Sequence, residues 1–135
     1  MAIRVVRLGT TRSPDEGLRL GTVRRPPRGV RKEDWGRRDY FDVWVPELAP
    51  SEDLRAWALA ESLTPQRWAT YKRRYLAQMR RPAAQRLIAL LAALSLQTNF
   101  SMGCYCEDAS HCHRSLLQTL LVEHGATIIG AARTF

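Results

Sequence analysis

Between Phe100 and Gly125 the chain changes its hydrophobic period in a way that a strand running into a helix satisfies. Phe100 to Cys106 is a short apolar run, and Cys112 to His124 repeats apolar residues at helical spacing until Gly125 closes it. The turn between them lies within GCYCEDASHCHRSLL (103–117), which holds all three cysteines and two of the three histidines of the 135-residue chain. A strand-to-helix turn brings thiols, imidazoles and backbone N–H groups together at the positive end of a helix. Chemistry, if the chain performs any, is expected here.

The remaining segments extend this unit to an α/β domain. Ile3 to Leu8 reads as a first strand ended by Gly9, and Leu18 to Val23 as a second, weaker one interrupted by Gly21. The intervening GTTRSPDEG is turn-rich, and Tyr40 to Val45 reads as an extended segment feeding a turn at Pro46. Ser51 followed by Glu52 and Asp53 starts a helix with an N-cap and two carboxylates in its first turn. Thr64–Pro65 starts a second, whose Trp68, Tyr71, Tyr75, Leu76 and Met79 form one helical stripe. That stripe reads as core, with arginines on a solvated opposite face. Ala83 to Leu96 is apolar almost all round and predicts a helix buried against a sheet, and Ala126 to Ile129 is a last short strand. Strands at both ends, with helices on either side of the strand at 100–106, imply a single α/β domain (1–135) with a largely parallel sheet. Ligands bind such sheets at the carboxyl ends of strands, where the cysteine cluster falls.

Bulk properties bound the partners. A hydrophobic fraction of 45% and a charged fraction of 25% are ordinary for a soluble globular chain. The opening MAIRVVRLG lacks a sustained apolar stretch and is not expected to act as a signal peptide, and Leu87 to Leu96 is about half the length of a membrane span. Three cysteines within nine residues make no disulfide framework and fit a reducing cytoplasm. A net charge of +8 and a pI near 10.2 suggest a polyanionic partner. Yet nineteen arginines against only Lys32 and Lys72 is also what a GC-rich genome produces. Residues 24–38, RRPPRGVRKEDWGRR, are the most basic part and read either as an arginine-bearing loop over a pocket or as a solvated connection.

Three chemistries suit the cluster. In the first a thiol, Cys106 at the strand exit or Cys112 near the helix start, is the nucleophile, with His113 carrying the proton. His111 and Arg114 would lower the pKa of Cys106, and Glu107 and Asp108 would raise it. Such strand–Cys–loop–helix layouts resemble phosphatase and sulfurtransferase loops. The phosphatase kind needs an arginine six positions after its cysteine, where this chain has Cys112 or Ser110, so that class is rejected. The second is a metal site. Cys104, Cys106, His111, Cys112 and His113 offer enough donors for zinc, but the spacing is not a standard one and adjacent Cys112 and His113 diverge on a helix. The third is a reversible disulfide between Cys106 and Cys112, without a C-x-x-C motif. Singly, each residue also has a plainer reading: Cys104 as a buried apolar group, His111 as a surface residue, Arg114 as the partner of Glu107 or Asp108.

Several segments together resemble the YeaO-like family of small bacterial proteins. They are DEGLR (15–19), PRG (27–29), LAPSEDLRAW (48–57), PQRWATYKRRY (65–75) and EDASHCHRSLL (107–117), with CHRSLL typical of a cysteine-bearing branch. The resemblance spans about residues 2–124. It implies an α/β domain with a site lined by Cys112, His113 and Arg114 and by Arg24 and Arg28 of the basic loop, but transfers no activity. The chain departs from that family where Val23 precedes Arg24 in place of aspartate, and where Pro26 replaces tryptophan.

The expectation is therefore a thiol-containing site. Arg24, Arg28 and Arg114 would hold a small anionic or nucleotide-type ligand, and Cys106, Cys112 and His113 would supply the chemistry. The alternatives are a non-enzymatic nucleic-acid binder using the 24–38 arginines and the basic helix, and a Cys/His metal-binding domain.

Overall fold

The computed structural model describes residues 1–106 and 111–129. Its centre is β4 (Phe100–Cys104), which is buried along its whole length and flanked in parallel by β1 (Ile3–Arg7) and β2 (Leu18–Gly21). Outside these lie two edge strands of two residues, β3 (Val43–Trp44) on β2 and β5 (Ile128–Ile129) on β1, giving the order β3-β2-β4-β1-β5. Every described pairing is parallel, in line with the sequence expectation.

Strand parity decides what each face becomes. Ile3, Val5, Leu20, Phe100 and Met102 occupy alternate positions in register, so their side chains share one face. They join one hydrophobic core with residues from all four helices: α1 (Glu52–Ala60), α2 (Pro65–Gln78), α3 (Pro82–Leu94) and α4 (His113–Glu123). Cys104 continues this parity and so points to the helix side at the carboxyl end of β4. Gly103 keeps the strands close there, because a Cβ on it would lie 2.2 Å from the Val6 carbonyl oxygen.

Local signals set the helix ends. Ser51 and Thr64 accept hydrogen bonds from the N–H groups of Leu54 and Arg67, and Pro65 and Pro82 open α2 and α3. Gly125 adopts φ +91° after α4 and ends it. The aromatic stripe of α2 packs as expected, Trp68 on Tyr71 and Tyr71 on Tyr75 in stacked pairs. The helix expected over 83–96 is α3, and it packs in the core along one side. Only Ala84, Ile88, Leu91 and Ala92 are buried, while Leu90 and Leu94 are exposed, because one sheet face and α4 can cover only one side of a helix. The extended segment at 40–45 shortens to two paired residues. Phe41 turns inward onto Gly21, where a Cβ would lie 2.3 Å from its ring.

The opposite face carries a buried ion pair that charge patterning alone assigns to the surface. Arg19 is 0% and Glu16 2% exposed. The guanidinium donates to both Glu16 oxygens at 2.7 and 3.0 Å and to the carbonyls of Thr10 and Asp39 at 2.8 Å each. Ser101 Oγ and the Ser13 N–H also donate to Glu16. Burial works against the ionised carboxylate, but the hydrogen bonds from Arg19, Ser101 and Ser13 outweigh it and hold the Glu16 pKa at about 2. Removing one partner of such a pair strands the other charge, at a cost of roughly 3–5 kcal/mol. Glu16→Gln is therefore expected to lower the urea-unfolding midpoint sharply. Because the folded pKa lies below the ordinary value of 4.5, this stability is present above about pH 4.5 and is lost as pH falls toward 2. A variant with an unchanged midpoint at pH 7 would contradict this role.

Candidate functional site

Cys104 and Cys112 arrive at one point from two elements. Cys104 ends β4 on the helix side, and Cys112 is the N-cap residue of α4, in extended backbone just before the first helical turn. Their sulfurs lie 2.7 Å apart, and both residues are nearly sealed, at 1% and 2% exposure. Leu8, Val23 and Phe41 complete an apolar cluster around them. Cys106, two residues beyond the strand, is exposed, yet its sulfur completes a trio whose members all lie within 4.8 Å of one another.

The trio divides charge unequally. The S–H groups of Cys104 and Cys112 donate toward Cys106 and, with the positive Arg114 nearby, outweigh burial, so its pKa falls well below that of an ordinary thiol. The same interactions push Cys104 up to about 12 and Cys112 higher still. The directions of these shifts favour ionisation at Cys106, the accessible sulfur, over Cys104 and Cys112.

His113 stands behind Cys112. Burial lowers its pKa and keeps the ring neutral. Its Nε2 lies 2.5 Å from the Thr22 carbonyl oxygen, which can only accept, so Nε2 carries the proton. Nδ1 is left as an acceptor 3.7 Å from Cys112 Sγ. The ring also packs on Tyr75 at 5.7 Å, which ties it to the aromatic column of α2.

Above the sulfurs opens a cavity of about 660 Å³. The segment after β2 forms one wall, from Val23 to Arg28, and Tyr105 and Tyr40 stand beside it. Arg55, Ala58 and Leu59 of α1, Tyr71 of α2, and His111 line the other side, with Cys104, Cys106, Cys112 and His113 at the base. Arginines, tyrosines and the cysteine–histidine group thus share one lining.

The sequence-predicted residues separate into distinct positions. Cys106, Cys112 and His113 meet at the cavity base, and Arg24 and Arg28 border it. Arg24 directs its guanidinium to the carbonyls of Pro46, Ala49 and Pro50, so it holds the chain before α1. Arg28 is exposed at the rim. Arg114 is buried and does not line the cavity. It donates to the carbonyls of Val6 and Cys106 at 2.8 Å each, clamping β1 to the strand exit. The proposed contacts of Glu107 and Asp108 lie outside the described residues. Sequence reasoning passed over Arg55, Tyr71, Tyr105 and the Thr22 carbonyl. Tyr71 belongs to the helical stripe, but Tyr75 of the same stripe is equally polar-tipped, so the pattern carried no signal that set Tyr71 apart.

The metal reading changes its donor set. The three sulfurs converge without the histidines and could hold a soft divalent ion such as zinc, for which thiolates about 2.3 Å from the metal are suited. Cys112 and His113 need not bind the same ion, which removes the geometric objection.

A family model described as the active DUF488-N3 subclade matches residues 3–125. No curated protein matches the chain, and no solved structure does.

Selective labelling follows from the division of charge. Cys106 is expected to react first with iodoacetamide, at a pH 6 rate within about threefold of its pH 8 rate. An ordinary thiol of pKa about 8.5 loses most of its reactivity over that interval. Peptide mapping by mass spectrometry reads this directly, and equal labelling of all three cysteines would contradict it.

Proposed function

Because this chain belongs to the DUF488 family, whose N3 subclade is described as active, we propose that it is a thiol-dependent enzyme acting on a small anionic or nucleotide-type substrate. The observation that carries this reading is the position of Cys106. It is the accessible member of the sulfur trio, at the base of a cavity and at the carboxyl end of the central strand. In the proposed step the Cys106 thiolate forms a bond to an electrophilic atom of the substrate, and the leaving group departs with the electron pair of the broken bond. Cys104 and Cys112 hold the attacking thiolate through their S–H groups, and His113, with Nδ1 3.7 Å from Cys112 Sγ, positions Cys112. Arg28 and Arg55, exposed at the rim, bind the anionic group. Arg24 and Arg114 serve as positioning residues through the carbonyls they hold. We read the chain further as YeaO-like, which the Cys112–Leu117 run CHRSLL supports. Free thiols at this spacing also support a reducing, cytoplasmic setting.

A second reading has its own observation, the approach of all three sulfurs within 4.8 Å. It makes the trio a metal centre, with Cys106 as a ligand in place of a nucleophile.

Paired reagents of opposite charge test the proposal. Iodoacetate should alkylate Cys106 faster, relative to iodoacetamide, than it does a free thiol such as glutathione. Arg28→Ala with Arg55→Ala should lower the iodoacetate rate about tenfold, or ~1.4 kcal/mol, and leave the iodoacetamide rate unchanged. A ratio equal to that of glutathione removes the anion-binding cavity. Stoichiometric zinc in protein purified without chelator, with Cys106 labelled only after its removal, selects the metal reading.

A further inference from the structure

The positive charge of this protein is not evenly spread. Residues 62–106 contain seven lysines and arginines and no aspartate or glutamate. Elsewhere carboxylates are largely matched: Glu16 with Arg19, Asp42 with Arg12, Glu52 with Arg25, Asp34 with Arg37. Among the described residues, Arg67 is the one cation of the seven in an ion pair, with Glu61 at 3.7 Å. Lys72, Arg73, Arg74, Arg80, Arg81 and Arg86 are exposed along α2, the α2–α3 turn and α3.

This basic ridge adjoins the cavity. The guanidinium carbons of Arg67 and Arg74 lie 4.0 and 4.9 Å from the Trp57 ring centroid, which fixes them against α1. The same helix supplies Arg55, Ala58 and Leu59 to the cavity wall. Next to Arg67 on α2, Trp68 meets the ring of His111 edge-on at 5.2 Å, and His111 lines the cavity. Arg67, Trp68 and Arg74 thus stand beside elements that line the cavity.

We propose that the ligand of this site is a nucleotide within a single-stranded nucleic acid, its backbone along α2 and the α2–α3 turn and one base in the cavity. This deepens the functional reading above and rests on its cavity, while its own support is the charge distribution. Guanidinium groups match phosphate geometry, and the half-buried Tyr40 and Tyr105 offer aromatic surface to a base. Six unmatched cations exceed what a free small anion needs. A base still paired in a duplex does not reach a sulfur at the base of a cavity, which favours the single strand.

Fluorescence anisotropy with the full chain tests this, using labelled twelve-nucleotide oligo-U and oligo-dT, a duplex of equal length, and polyglutamate. Both single strands should bind, with affinity falling roughly 300-fold between 50 and 200 mM salt, as about six phosphate contacts on a single strand require. A preference of one strand over the other assigns RNA or DNA as the source. The triple variant Arg73→Glu, Arg80→Glu, Arg81→Glu should bind at least tenfold more weakly with an unchanged unfolding midpoint. Bound strand should slow iodoacetamide labelling of Cys106, while the triple variant without a strand labels at the normal rate. Equal binding of polyglutamate or the duplex, undiminished binding by the triple variant, or no protection of Cys106 overturns the inference. Anion-selective labelling without strand binding would leave the thiol reading intact, whereas strand binding with ordinary Cys106 reactivity would defeat only the thiol reading.

Discussion

Burial of β4 between β1 and β2 is the constraint from which the site follows. A strand paired on both sides cannot slip by one residue without sending Phe100 and Met102 to the wrong face and Ser101 away from Glu16. With that register held, Cys104 must emerge on the helix side at the strand's end. The chain then returns to the sheet through α4, whose N-cap is Cys112. Two sulfurs distant by eight residues thus meet without any feature devoted to bringing them together.

Around this junction the basic side chains do unlike work. Arg19 is locked into a buried network on the far face of the sheet, and Arg114 and Arg24 satisfy carbonyls that loops leave open. Their charge contributes structure, and Arg114 also biases Cys106 toward its ionised form. Arg28 and Arg55 stay at the rim, with Arg25 tied to Glu52 beside them. An arginine count therefore says little about ligand binding until each guanidinium's partners are known.

The aromatic stripe of α2 connects scaffold and site. Tyr75 donates to the Leu48 carbonyl at 2.8 Å and packs on His113, so the ring that faces Cys112 leans on the core itself. Tyr71 sits one turn earlier, stacked on Tyr75 and open to the cavity. One helix face thereby serves packing at its far end and lines the cavity at its near end.

Residue order alone was enough for the helix caps at Ser51 and Thr64, the prolines that open α2 and α3, the strand-to-helix turn and the parallel sheet. Each of these is set by local dihedral preference or by hydrophobic period. It also located the reactive segment, because cysteine and histidine density needs no fold to be seen. Only the tertiary structure decided which sulfur is accessible, that Glu16 and Arg19 are core, that α3 exposes one face, and that Arg114 donates to the Val6 and Cys106 carbonyls. Those outcomes depend on which groups approach across the sheet, and a side chain's charge or hydrophobicity does not record what will be packed against it.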